Sequence, residues 1–158
     1  MALKGDRFEG ITDIKHFMNE VAERGGIAVL STAGSGAAMD QSANLVTYAA
    51  SPSGQKPVGI LLNNMVNVDL TRTHLNQYKD EIQKGGKVTL LKDGYVVTNM
   101  IYPGNSPAGG DAAYVAGSGY ISSSASPSQV RAIGEFETSK DEDGYATVYV
   151  KLPNKTTG

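Results

Sequence analysis

The stretch Lys87-Val-Thr-Leu-Leu-Lys-Asp-Gly-Tyr-Val-Val-Thr98 decides the fold class. Its two ends, Lys87–Leu91 and Tyr95–Thr98, are rich in β-branched, aliphatic and aromatic residues that suit a pleated surface. Between them stands Lys92-Asp93-Gly94, and Asp-Gly between β-rich runs tolerates the positive φ angles of a tight turn. The expectation is a hairpin. A second stretch repeats the device: Ile133–Phe136 and Tyr145–Val150 flank a charged loop that ends in Asp143-Gly144.

Outward from these hairpins the pattern remains β. Ile27–Leu30 and Leu45–Tyr48 are short apolar runs, and Pro57 opens another at Val58–Leu62. In Met65–Leu70 the apolar Val66, Val68 and Leu70 alternate with Asn67 and Asp69, the period of a half-buried strand. Pro103–Gly119 is rich in Gly, Ala and Pro, with Tyr114-Val115 and Tyr120-Ile121 as short strands in and just after it. Thr71–Lys84 is polar, with Leu75, Tyr78 and Ile82 near helical spacing, and reads as a short helix or a long loop. In Asp13–Arg24, Ile14, Phe17, Met18 and Val21 fall at i, i+3, i+4 and i+7, one face of a helix. Thr12 or Asp13 would cap its start and Gly25-Gly26 its end. Ile14, His16 and Met18 also alternate, so an extended arm is the alternative. The expectation is an all-β fold, a sandwich or barrel with long loops and at most one or two short helices. Residues 1–24 would form an N-terminal arm or short helix, and 25–158 a single β-rich domain.

The 158 residues suit one domain, and 40% hydrophobic content supplies a real if light core. The absence of Cys excludes disulfides, thiol catalysis and Cys-ligated metal centres. A net charge of −2 is too balanced for a nucleic-acid footprint. No apolar run approaches the roughly 20 residues that span a bilayer, and the first residues lack the apolar core of a secretory signal. Neither a nucleic acid nor a membrane is an expected partner. The charge is unevenly spread: residues 25–55 carry only Asp40, and 94–130 only Asp111. These stretches are either buried strands joined by neutral loops or surfaces that meet other chains, where interface cores are depleted in Lys, Glu and Asp.

Catalytic chemistry finds little support. The two histidines, His16 and His74, have no nucleophile elbow beside them, and Gly117-Ser118-Gly119 reads as a turn. Asp141-Glu-Asp-Gly144 suggests a calcium loop, but the position that needs a bidentate Glu is Leu152. Gly34-Ser-Gly36 lacks the Lys and helix of a phosphate loop. Asn154-Lys-Thr156 matches a glycosylation acceptor that needs a secretory route. No catalytic residue, metal or cofactor is expected, and the chain reads as no enzyme.

Gly25-Gly-Ile-Ala-Val-Leu-Ser, Gly34-Ser-Gly-Ala-Ala-Met-Asp-Gln41 and Pro57-Val-Gly-Ile-Leu-Leu together resemble capsid cement, or head decoration, proteins of tailed phages, those of cyanophages in particular. Asn67-Val-Asp-Leu-Thr-Arg-Thr-His, Lys84-Gly-Gly-Lys-Val-Thr-Leu-Leu and Lys140-Asp-Glu-Asp-Gly-Tyr-Ala carry the same likeness. The resemblance implies a β-sandwich or β-barrel body on the outside of the virion, made in the bacterial host cytoplasm. It implies bridging of neighbouring major capsid protein subunits and self-association, with a homotrimer favoured over a dimer. Arg7, Phe8, Ile11 and Phe17 are the candidate capsid contacts, because three of them are apolar in a charged leader. Met39, Asp40, Tyr114 and Tyr120, in the neutral stretches, are the candidate interface. A tail, baseplate or carbohydrate-binding fibre module is the alternative, since Tyr-rich β proteins often bind sugars.

Overall fold

The computed structural model describes residues 3–31, 44–48, 50–51, 53–62, 81–82, 85–124 and 132–152. Met65–Leu70, nearly all of Thr71–Lys84 and the glycine-rich segment 34–36 lie outside them. The described chain is all-β. Its strands are β1 (Leu3–Asp13), β2 (Phe17–Met18), β3 (Ala22–Glu23), β4 (Ile27–Leu30), β5 (Leu45–Thr47), β6 (Pro57–Leu61), β7 (Glu81–Ile82), β8 (Leu90–Thr98), β9 (Ala112–Val115), β10 (Ile121–Ser122), β11 (Ala132–Phe136) and β12 (Ala146–Lys151). The only helical turn among these residues is a 3-10 turn at Gly117–Gly119.

The organising strand is β8. Along one edge, β12 pairs with its C-terminal part, from Lys151↔Asp93 to Ala146↔Thr98. Further along that edge β6 takes over, with Ile60↔Leu91 and Leu61↔Leu90. The other edge belongs to β1, whose antiparallel register runs from Leu3↔Thr98 to Asp13↔Leu90 with three irregularities. One large mixed sheet results, in the order β10-β9-β11-β12-β8-β6-β4-β5-β2 with β1 added on β8. β3 and β7 form a separate pair.

This arrangement corrects the first hairpin. Lys92-Asp93-Gly94 does not turn; it lies inside one continuous nine-residue strand. Gly94 has φ 148°, a value glycine reaches freely, and a Cβ built there would collide with the Phe8 carbonyl oxygen. The glycine therefore serves close approach of β1 to β8 rather than reversal of the chain. The second hairpin is present: β11 pairs with β12, and Gly144 takes φ 86° in the connection.

The helical reading of Asp13–Arg24 is also corrected. The segment is extended, with β2 and β3 inside it. His16, which belongs only to the alternating pattern, is buried, and Val21, which belongs only to the helical one, is about half exposed. Of the two residues common to both patterns, Met18 is buried and Ile14 is about half exposed. β2 is held by parallel pairing to β5, and Met18 N–H donates to the Gly86 carbonyl at 2.9 Å.

Two apolar clusters fill the fold. The larger takes Leu3, Ile27, Ile60, Val96, Phe136 and Val148 among others, joining β1, β4, β6, β8, β11 and β12. The smaller holds Met18, Ala28, Val46, Val58, Leu61 and Leu90. β4 sends Ile27 and Val29 to the larger and Ala28 to the smaller, and β6 sends Ile60 to the larger and Val58 and Leu61 to the smaller. Both strands are therefore buried on two sides and read as apolar runs. Each fully buried Val or Ile contributes about 1.5–3 kcal/mol relative to exposure. Much of the neutral stretches is thus core: Ile27, Leu45, Val96, Ala113 and Ile121 are buried.

Tyr48 ties the neutral loops together. Its hydroxyl donates to the Glu23 carbonyl at 2.5 Å and accepts from the Gly26 N–H at 3.1 Å. Its ring sits where Cβ atoms at Gly26 and Gly119 would be. Burial pushes its pKa up, so the hydroxyl stays protonated and keeps its donor role.

Gly94→Ala should cost on the order of 3 kcal/mol, from backbone collision and an unfavourable φ together. Gly144→Ala, whose Cβ would meet nothing within 4 Å, should cost only about 1–2 kcal/mol. Urea unfolding of the two variants checks the order.

Candidate functional site

The strand register builds an aromatic ribbon on the outer face of the sheet. In β12, Ala146, Val148 and Val150 point into the core, so Thr147, Tyr149 and Lys151 point away from it. Tyr149 pairs with Tyr95, and Tyr95 pairs with Phe8. Residues directly opposite on antiparallel strands share a face, so Phe8, Tyr95 and Tyr149 form one row across β1, β8 and β12. Phe8 and Tyr95 stack with ring centroids 6.2 Å apart. Ile11, opposite Asp93, joins the same face because the register shifts between Glu9 and Ile11. Phe8 and Ile11 are each 55% exposed, and Tyr95 37%. Exposed apolar and aromatic side chains gathered on one face make this the candidate contact surface.

The Tyr149 hydroxyl donates to Asp93 Oδ1 at 2.9 Å, which fixes one end of the row. That bond and the Asp93 charge push the Tyr149 pKa up. Sequence reasoning singled out Phe8 and Ile11 but not Tyr95 or Tyr149. The signal for Tyr149 was its place between the inward Val148 and Val150.

The other candidates scatter. Arg7 and Glu9 form an ion pair and lie opposite Val96 and Gly94, on the other side of β1 from Phe8. Phe17 is held away from the ribbon, half-buried on β2 with the Lys87 ammonium 5.7 Å from its ring centroid. Tyr114 is partly buried against the larger core. Tyr120 meets the exposed Tyr102 edge to face at 6.4 Å, a second and smaller aromatic pair. Met39 and Asp40 lie outside the described residues.

At the end of β1 stands a charged cluster. Asp13 Oδ2 lies 3.3 Å from Lys92 Nζ, 3.6 Å from Lys15 Nζ and 3.5 Å from His16 Nδ1. Burial would raise the Asp13 pKa, but the Lys15 backbone N–H, Lys92, His16 and Lys15 outweigh it, and the net shift is downward. Burial lowers the pKa of His16, against the pull of Asp13. The Asp141 loop closes on itself: Asp141 Oδ1 accepts from the N–H groups of Asp143 and Tyr145, each at 2.9 Å, and Oδ2 faces Lys4 at 3.3 Å. Its carboxylate is engaged in forming the turn rather than presented to an ion, and the Tyr145 N–H is the main reason its pKa is lowered.

Residues 9–151 match the family model described as structural cement protein (E217 gp24/Pam3 gp6). The chain belongs to this family of phage structural cement proteins. It is a structural component of a phage virion, as the resemblance implied. No curated protein matches it. Among the described residues of this cement protein, no helix is long and apolar enough to cross a membrane.

The lowered pKa of His16 fixes a pH dependence. Above the ordinary value of about 6.5 the folded and unfolded states both hold a neutral imidazole. As pH falls below it, the unfolded chain takes up a proton that the folded chain refuses, so stability is lost. Asp13 adds its own loss only in more acid solution, below about 4. Urea midpoints measured at pH 7.5 and 5.5 should drop for the wild type, and less for His16→Gln.

Proposed function

We propose that this cement protein binds the outside of the phage head and bridges neighbouring major capsid subunits, acting without turnover. It would do so as a homo-oligomer, and the family likeness favours a trimer. The observation that carries the reading is the row of exposed Phe8 and Tyr95 and half-buried Tyr149, with exposed Ile11 on the same face, in a chain whose family is structural. The ribbon spans three strands paired to one another, so a load applied to it is shared by the β8 ladder rather than borne by a loop. Aromatic side chains give large contact area at low entropic cost, which suits a surface that must hold under genome pressure. Many copies act together, so modest affinity at each site suffices once sites are linked within an oligomer.

The paired substitution Phe8→Ser with Ile11→Ser should lower affinity for heads stripped of this protein at least tenfold, while the melting midpoint moves by only a few degrees. Glu142→Ser, on the exposed hairpin connection, serves as the control and should bind like wild type. Unchanged occupancy by the double variant would sink the reading of this face.

A further inference from the structure

The cavity at the Asp13 end of β1 has no role in the ribbon. It is lined by Lys15, His16, Lys92, Leu30, Pro57, Val58 and Leu152 and holds about 230 Å³. That is below the roughly 300 Å³ at which small-molecule sites begin, and close to the size of one or two side chains. Its lining divides in two. Leu30, Pro57, Val58 and Leu152 make an apolar wall drawn from β4, β6 and the residue that follows β12. Lys15, His16 and Lys92 make a basic one.

The basic wall carries unspent capacity. Two lysine ammonium groups share the single carboxylate of Asp13, so the cluster keeps a positive charge with His16 neutral. His16 is only 4% exposed, and its Nδ1, although 3.5 Å from Asp13 Oδ2, completes no hydrogen bond among the described residues. A buried polar atom left so is a cost that an incoming group can remove. Lys15 is well exposed and able to swing onto a ligand.

We propose that this cavity receives an acidic side chain, with an apolar residue beside it, from a neighbouring protein subunit of the virion. The carboxylate would meet Lys15, Lys92 and His16, and the apolar neighbour would cover Leu30 and Leu152. A charge-assisted contact of this kind fixes register between subunits, where the ribbon supplies area without direction. The inference deepens the head-binding reading and rests on it.

The test uses the full chain, labelled for amide NMR, with N-acetyl-Asp-Leu-amide and its neutral isostere N-acetyl-Asn-Leu-amide as probes and sodium acetate as a third. The acidic dipeptide should bind at least tenfold more tightly than the neutral one and shift the amides of Lys15, His16 and Leu152. Lys15→Glu should erase that preference and lower affinity for stripped heads about tenfold. Equal binding of the two dipeptides, shifts elsewhere, or acetate alone matching the acidic dipeptide would each overturn the proposal. Wild-type binding to heads separates the two readings: if it persists while the dipeptides fail to discriminate, only the cavity assignment falls. If the wild type does not bind heads, the head-binding reading falls and takes this one with it.

Discussion

The contact between the Phe8 carbonyl and Gly94 constrains everything that β1, β8 and β12 do together. A Cβ at position 94 would meet that oxygen, so only glycine lets β1 lie along β8 there. Because β1 occupies one edge, β12 and β6 must follow each other along the opposite one. β8 thereby becomes a spine with strands paired along both edges, the β1 side interrupted by three irregularities. A strand flanked on both sides is harder to open locally than an edge strand.

That spine also places the surface features. Tyr95 lies one residue after Gly94, and its strand partners on either side are Phe8 and Tyr149. The pairing that fills the core with Val96, Val148 and Val150 on one face necessarily stacks aromatics on the other. Lys92 and Asp93 in the same strand reach the Asp13 cluster and the Tyr149 hydroxyl. A protein whose task is mechanical gains from having its contact residues on its most tightly held strands.

Parts of this were legible from local pattern. Ile27–Val29 and Val58–Leu61 announced themselves as continuous apolar runs because both faces are buried. The β11–β12 hairpin was legible because its strands pair with each other across a nearby turn. Asp93-Gly94 misled for a physical reason: a positive φ serves a turn or a close backbone approach equally well, and only the distant partners distinguish them. Those partners, β1 and β12, are far away in sequence, and pairing over such distances leaves no local trace. Residues 13–24 fit two periods at once, and the burial of His16, with Val21 about half exposed, decided between them. Phe8 and Ile11 stood out as apolar residues in a charged leader. Their alignment with Tyr95 and Tyr149 depended on register, which the sequence alone does not carry.

Amide hydrogen exchange on the full chain, resolved by residue from Leu90 to Thr98, tests the continuity of β8 most directly. Unbroken slow exchange through Lys92, Asp93, Gly94 and Tyr95, level with Val96–Thr98, is the expected result. Fast exchange confined to Asp93 and Gly94, with slow segments on either side, would mean that the chain turns there, and the account of β8 as the spine would be wrong.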